Sequence, residues 1–190
     1  MKQVLLCVFG ANGAGKSSLL ETVADMNSPS TRIVRGSTIL KESLGVASYE
    51  ALESISAQEK KQALLKGMSS LTVEGGSHTT IVDTHLVVPM RSLTTCVVED
   101  MWDERLLELF QGFVYVSAPA ATIAQRRRMD TGRPLRAMRA TLQVCAEDLQ
   151  LNAKRWDEIS PSMKNKKVII NDQTILVGAQ KIMDFLQTLS

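Results

Sequence analysis

The chain has 190 residues, 44% of them hydrophobic, 22% charged and only 4% aromatic. A chain this long buries roughly 70% of its unfolded surface around one core, and this composition excludes wholesale disorder and collagen-like repeats. Scarce aromatics argue against a stacking surface for single-stranded nucleic acid, while 22 basic against 20 acidic residues, a net +2, says little about partners.

Residues 3–9 (QVLLCVF) form a continuous apolar run that ends at a glycine, the pattern of a fully buried strand. Helical spacing of Leu19, Leu20 and Val23 follows over 16–26, stopped by Asn27-Ser28-Pro29. A short strand is expected at 31–35. Helices are expected near 38–44, near 48–54 and from 57 to about 73, the last opened by a capping box at Ser56 and Glu59 and closed at Gly75-Gly76. Residues 79–83 (TTIVD) read as the next strand. The stretch 86–100 fits neither period cleanly, and a short helix is expected over 103–110. Strand 113–117 (FVYVS) precedes a helix with Pro119 in its first turn. A break at Thr131-Gly132-Arg133-Pro134 separates that helix from a long one over 136–159. Strand 167–171 and an amphipathic helix over 174–188 complete the chain. Strands alternating with helices imply an α/β fold, with a five-stranded parallel sheet covered by helices on both faces.

Cys7, Cys96 and Cys145 contain no C-x-x-C pair, so zinc ribbons and thioredoxin-type chemistry are excluded and free thiols are expected. The apolar start is too short for a signal peptide, and no run approaches the ~20 residues of a membrane helix. These features point to a cytoplasmic protein with no membrane partner; monomer and homo-oligomer are both compatible.

The most specific motif is Gly10-Ala-Asn-Gly-Ala-Gly-Lys-Ser17, a full match to G-x-x-x-x-G-K-[ST] placed between a strand and a helix. Gly10, Asn12, Gly13, Ala14 and Gly15 are small or turn-forming, so successive N–H groups can curl around phosphates at a helix N-terminus. Lys16 is expected at the β- and γ-phosphates, the Ser17 hydroxyl on Mg²⁺, and Ser18 on the α-phosphate. ATP and Mg²⁺ are therefore the expected cofactors. Asp83 closes a buried strand, a costly place for a carboxylate without a cation or donors, and is the second expected Mg²⁺ group. Six of eleven arginines lie between 126 and 139, a cluster fit to clamp transferring phosphates. Which of Arg126, Arg127, Arg128, Arg133, Arg136 and Arg139 touch phosphate is left open by the cluster itself.

GANGAGKSS at 10–18, IVDTH at 81–85, the Arg-Arg segment at 126–133 and KVIIND at 167–172 occur in an order that resembles archaeal-type adenylate kinases and related P-loop nucleoside-monophosphate kinases. That resemblance implies a single kinase domain over 1–190 with strand order 2-3-1-4-5, a helical acceptor arm at about 37–75 and a short lid at about 126–140. It implies Lys16, Asp83, Arg127 and Arg133 as the catalytic set, with Asn171 and Arg126 on the ATP side. Lys41, His85 and Arg91 are the acceptor-side candidates. No arginine stands between Arg35 and Arg91, where family members grip the acceptor phosphate, and Lys41 offers a point charge in place of a fork. The function expected is transfer of the γ-phosphoryl of ATP to a small acceptor, above all a nucleoside monophosphate. The alternative is an ATP-binding or ATPase regulator with a degenerate acceptor site, working with RNA. A GTPase is disfavoured because N-K-x-D and D-x-x-G are both missing.

Overall fold

Alternating burial along the first strand sets the layering. In β1 (Val4–Phe9), Val4, Leu6 and Val8 enter one core and Leu5, Cys7 and Phe9 the other, because successive strand side chains point to opposite faces. The computed structural model describes residues 4–27, 30–48, 51–52, 54–71, 79–91, 95–132 and 137–189. Within them, β1 leads to α1 (Lys16–Met26), β2 (Thr31–Arg35), α2 (Gly36–Leu44), α3 (Ala57–Ser70) and β3 (Thr79–Asp83). Next come β4 (Val87–Arg91), β5 (Cys96–Asp100), a 3₁₀ turn (Glu104–Glu108), β6 (Gly112–Ser117) and α4 (Ala120–Arg128). The chain closes with α5 (Leu142–Ile159), β7 (Lys166–Ile170) and α6 (Ile175–Gln187).

Five of these strands make one parallel sheet in the order β2-β3-β1-β6-β7. Counted among themselves in chain order, they run 2-3-1-4-5, as expected. Helices α2 and α3 cover one face with Ile39, Leu40, Leu64 and Met68, joined by Trp156 of α5. Helices α1, α4 and α6 cover the other with Leu19, Val23, Ile123 and Ile182. Register then carries function: Val8 and Arg35 both pair with Asp83, and Ser117 with Ile170, so the loops after β1, β3, β6 and β7 leave from one rim. In open α/β sheets, ligands bind outside these carboxyl ends.

Most aromatics sit below that rim. Phe9, the last residue before the glycine-rich loop, meets the Trp102 ring edge-on at 5.0 Å, with Trp156 at 6.2 Å and Phe113 at 6.4 Å. Large rings with few rotamers make a stiff platform under the site.

The residues between β3 and β6 depart most from expectation. Val87–Arg91 and Cys96–Asp100 form a separate antiparallel pair, with Pro89 opposite Val98. A proline mid-run argues against a central strand, but a two-stranded sheet consists only of edges and tolerates it. Ion pairs hold this hairpin to its neighbours: Lys60 of α3 to Glu99 at 2.9 Å, and Arg155 of α5 to Asp100 at 3.0 Å. Helix α5 begins at Leu142 rather than near 136, because the Thr141 side chain caps it by accepting from Val144 N at 3.2 Å. The capping box opens α3 as expected, with Ser56 accepting from Glu59 N and donating its own N–H back to that carboxylate. The glycine stop at Gly75-Gly76 lies outside the described residues, as do 49, 50 and 53 of the helix expected near 48–54, of which Ala51 and Leu52 are helical. All three cysteines are free, Cys7 and Cys145 buried and Cys96 exposed. Burial pushes the Cys7 thiol well up, and the nearby Asp83 charge adds to that. No helix among the described residues is long and apolar enough to cross a membrane.

Helices α2 and α3 touch through Gly67, where a Cβ would lie 2.2 Å from Ile39 Cγ2 and 2.9 Å from Ser43 Oγ. Two effects oppose each other in Gly67→Ala. Helix propensity favours alanine by about 1 kcal/mol, while overpacking costs about 1–3 kcal/mol. Net destabilisation of about 1 kcal/mol is expected by denaturant titration; a stabilised variant would mean that α2 simply moves aside.

Candidate active site

The loop between β1 and α1 is built so that its backbone faces a ligand. Gly15 has φ 91°, and a Cβ there would sit 2.3 Å from Asn171 Nδ2 and 2.9 Å from Arg126 Nη1. Only glycine fits both that left-handed angle and that approach. Lys16, the first residue of α1, is buried, and its Nζ donates to Gly10 O at 2.9 Å. Its ammonium lies 3.8 Å from Asp83 Oδ1. The Ser17 hydroxyl donates to Asp83 Oδ2 at 2.8 Å. Ser17 and Ser18 are both exposed at the start of α1. Lys16, Ser17 and Asp83 therefore meet at one point of the rim.

His85 lies beside them. Its Nδ1 is 2.9 Å from Gly10 O, a distance at which the Nδ1-protonated tautomer donates to that carbonyl. The Lys16 ammonium is 3.5 Å from the same nitrogen. The structure thus places His85 against the glycine-rich loop.

The three consecutive arginines at the end of α4 divide their work. Arg126 Nη1 donates to Ala14 O at 2.9 Å, and its Nη2 lies 3.5 Å from Asn171 O. Burial lowers the pKa of this guanidinium, so an arriving anion would relieve it. Asn171 is buried, with Nδ2 donating to Ala14 O at 2.8 Å and its N–H to Ser117 O at 2.7 Å. Arg127, also buried, donates from Nε and Nη2 to Asn12 O at 2.9 and 2.7 Å and from Nη1 to Asp148 Oδ2 at 2.7 Å. Its donors are thus engaged by the loop and by α5. Arg128 Nε donates to Ala140 O at 3.1 Å, bringing 137–140 back over α4. Arg133 lies outside the described residues.

A groove of about 360 Å³ opens beside Ser17 and Asp83, lined on its far side by Arg32, Arg35, Thr38 and Glu42. Arg35 is paired across it with Glu21 at 2.9 Å, and both are well exposed, so that pair contributes little to stability and can be exchanged for a ligand. Lys41, on the same helix as Thr38, is not among the lining residues. Arg91 is farther off, its guanidinium on Asp148 at 2.7 Å and Glu147 at 3.1 Å of α5, and its carbonyl accepts from Arg139. The structure thus gathers the loop residues, Asp83, His85, Arg126, Arg127 and Asn171, and separates Arg91 from the groove.

No family model matches this sequence, and no curated protein does. Solved structures do. Shikimate kinase from Acinetobacter baumannii, in complex with shikimate, is similar with a TM-score of 0.64 at 16% identity, over 98% of this chain and 94% of that one. A gluconokinase from Sinorhizobium meliloti 1021 gives 0.58 at 17%, over 98% and 93%. Shikimate kinase from Bacteroides thetaiotaomicron gives 0.60 at 14%, over 97% and 98%. The fold is that of the P-loop kinases. Likeness at these identities is one of fold, and it does not single out the archaeal-type adenylate kinases.

Within this P-loop kinase fold, two groups at the site escaped the sequence reading. Arg32 and Arg35 come from β2, just before the arginine-free interval, and line the groove. Asp148 was hidden inside α5. Its signal was the helical stripe Cys145, Asp148, Asn152, Trp156, Ile159, all buried, with two polar residues where apolar ones belong.

Proposed function

We propose that this chain is an ATP-dependent phosphotransferase that moves the γ-phosphoryl of ATP to a small acceptor. The observation that carries this reading is the convergence of Lys16, Ser17 and Asp83 at the rim, with a groove opening directly beside them. Backbone N–H groups of the loop and the start of α1 would hold the phosphates. Lys16 would leave Gly10 O for the β- and γ-oxygens, and Arg126 would turn from Ala14 O toward the nucleotide. A hydroxyl and a carboxylate 2.8 Å apart suit a hard cation that takes few protein ligands and several phosphate or water oxygens. Ser17 and Asp83 would hold Mg²⁺, which when bound neutralises charge on the phosphate oxygens. The acceptor oxygen would form its bond to Pγ as the bond to the bridging oxygen of ADP breaks, and positioning does most of the work.

The acceptor would lie in the groove, whose size suits a small metabolite. Among the described residues its lining holds two arginines, Thr38, Glu21 and Glu42 but no aromatic ring, which favours a hydroxylated, charged acceptor. Asp83-Thr84-His85 favours the narrower reading, a nucleoside monophosphate, as in the archaeal-type adenylate kinases that segment resembles. A coupled assay for ADP decides between these readings, run with nucleoside monophosphates and with hydroxy acids and sugar acids such as shikimate and gluconate. Turnover raised at least about tenfold by one acceptor class is expected. Hydrolysis that no acceptor stimulates, together with salt-sensitive RNA binding, would instead support the regulatory ATPase alternative.

A further inference from the structure

We propose that Asp148 is a positioning residue for the phosphate loop: its carboxylate fixes Arg127, and Arg127 fixes the Asn12 carbonyl. The significance of this relay rests on reading the loop as a nucleotide site.

The Asp148 side chain is only 9% exposed, deep for a carboxylate in the middle of a helix. It is held by two arginines from different elements, Arg91 Nη2 of β4 on Oδ1 and Arg127 Nη1 of α4 on Oδ2, both at 2.7 Å. Arg127 then places two further donors on one oxygen, Asn12 O, at 2.9 and 2.7 Å. A planar guanidinium with one edge on a carboxylate and the other on a carbonyl has no rotational freedom left. The restrained peptide matters because the next residue, Gly13, sits at φ 85° and has no side chain of its own to hold it. Its Cα packs on the same arginine, since a Cβ there would lie 3.1 Å from Arg127 Cγ. A glycine-rich loop has many accessible conformations, and only one of them aims its N–H groups together. The relay from α5 through Arg127 selects that conformation before any nucleotide arrives, so less ordering is left to be done on binding.

Arg91 provides the control. It shares the carboxylate from a shallower place, 19% exposed against 5% for Arg127, and among the described residues it has no hydrogen bond to the loop, so Arg91→Met removes an ion pair from Asp148 and leaves the Arg127 contacts in place. Three variants, Asp148→Ala, Asp148→Asn and Arg91→Met, are compared with the parent chain by two readouts. One is amide hydrogen exchange over residues 12–15 of the free protein, and the other is titration with MgADP. Asp148→Ala is expected to speed exchange there and weaken MgADP binding, each about tenfold. Asp148→Asn keeps one oxygen for Arg127 and falls between. Arg91→Met stays within about twofold in both. Loop exchange unchanged in Asp148→Ala, or changed equally in Arg91→Met, would overturn the proposal and leave Asp148 a packing residue. Should Asp148→Ala not fold, Arg127→Lys tests the same relay: it keeps the charge beside Asp148 but loses the fork, so unchanged loop exchange would again overturn it. A parent chain that does not bind MgADP would sink the nucleotide reading alone, because the exchange comparison needs no ligand.

Discussion

Replacing Lys16 by alanine is expected to abolish phosphoryl transfer while the chain still folds. Its ammonium lies 3.8 Å from the Asp83 carboxylate that also accepts from Ser17. Charge moves onto the bridging and γ-oxygens as the phosphoryl leaves, so a cation at that position stabilises the transition state more than bound ATP. Loss of one such preorganised donor costs about 10²–10³ in turnover, and a full charge costs more, so a fall of at least about 10³ is expected. Stability should change less. The Lys16 side chain is buried, but its hydrogen bond to Gly10 O is shared with His85, which keeps that carbonyl satisfied. The measurement is acceptor-dependent ADP formation beside a thermal melt. Retained turnover with a normal melt would remove Lys16 from the site and, with it, the reading of the loop.

The parts of this molecule legible from sequence are those whose signal is local. Strand β1 is apolar throughout because both its faces are covered, and the glycines after it leave only a tight loop. Ser56 and Glu59 state a helix start outright, and the structure uses both. The hairpin was not legible, because Pro89 contradicts a strand unless that strand is an edge, and edge status belongs to the tertiary arrangement. The start of α5 was misplaced for a related reason. Residues 136–141 are compatible with helix, and only the Thr141 hydroxyl, competing for the N–H of Val144, sets the boundary.

The site divides along the same line. Lys16, Ser17 and the loop glycines lie together in sequence, and Asp83 carries its own warning as a carboxylate ending an apolar strand. What Arg126 and Arg127 do could not be told from a row of three arginines. Successive residues on a helix point about 100° apart, so Arg126 meets Ala14 O while Arg127 meets Asn12 O and Asp148. Which neighbour lies in each direction depends on where α5 crosses α4. Nothing local in the sequence marks Arg32 and Arg35 as groove residues, because only the packing of β2 beside β3 brings that strand to the groove.

Asp83→Asn should separate nucleotide binding from turnover more cleanly than any other change at the rim. The amide keeps an oxygen to accept from Ser17 Oγ, now 2.8 Å away, so local geometry should survive. The negative charge is lost, and with it the hard anionic oxygen a divalent cation requires. Two consequences oppose each other for ATP itself. Removing a carboxylate from beside the phosphates lessens repulsion and favours binding of free ATP, while loss of the cation's anchor disfavours the Mg²⁺ complex. The second effect dominates catalysis, because charge on the γ-phosphoryl grows in the transition state. Turnover is expected to drop by about 10²–10³, with the Mg²⁺ concentration for half-maximal rate raised at least about tenfold. Affinity for ATP measured in chelator should be equal to that of the parent or tighter. Unchanged Mg²⁺ dependence would place the cation elsewhere and leave Asp83 as the hydrogen-bond partner that orients Ser17. If ATP affinity in chelator falls as far as turnover, the carboxylate instead orders the loop itself.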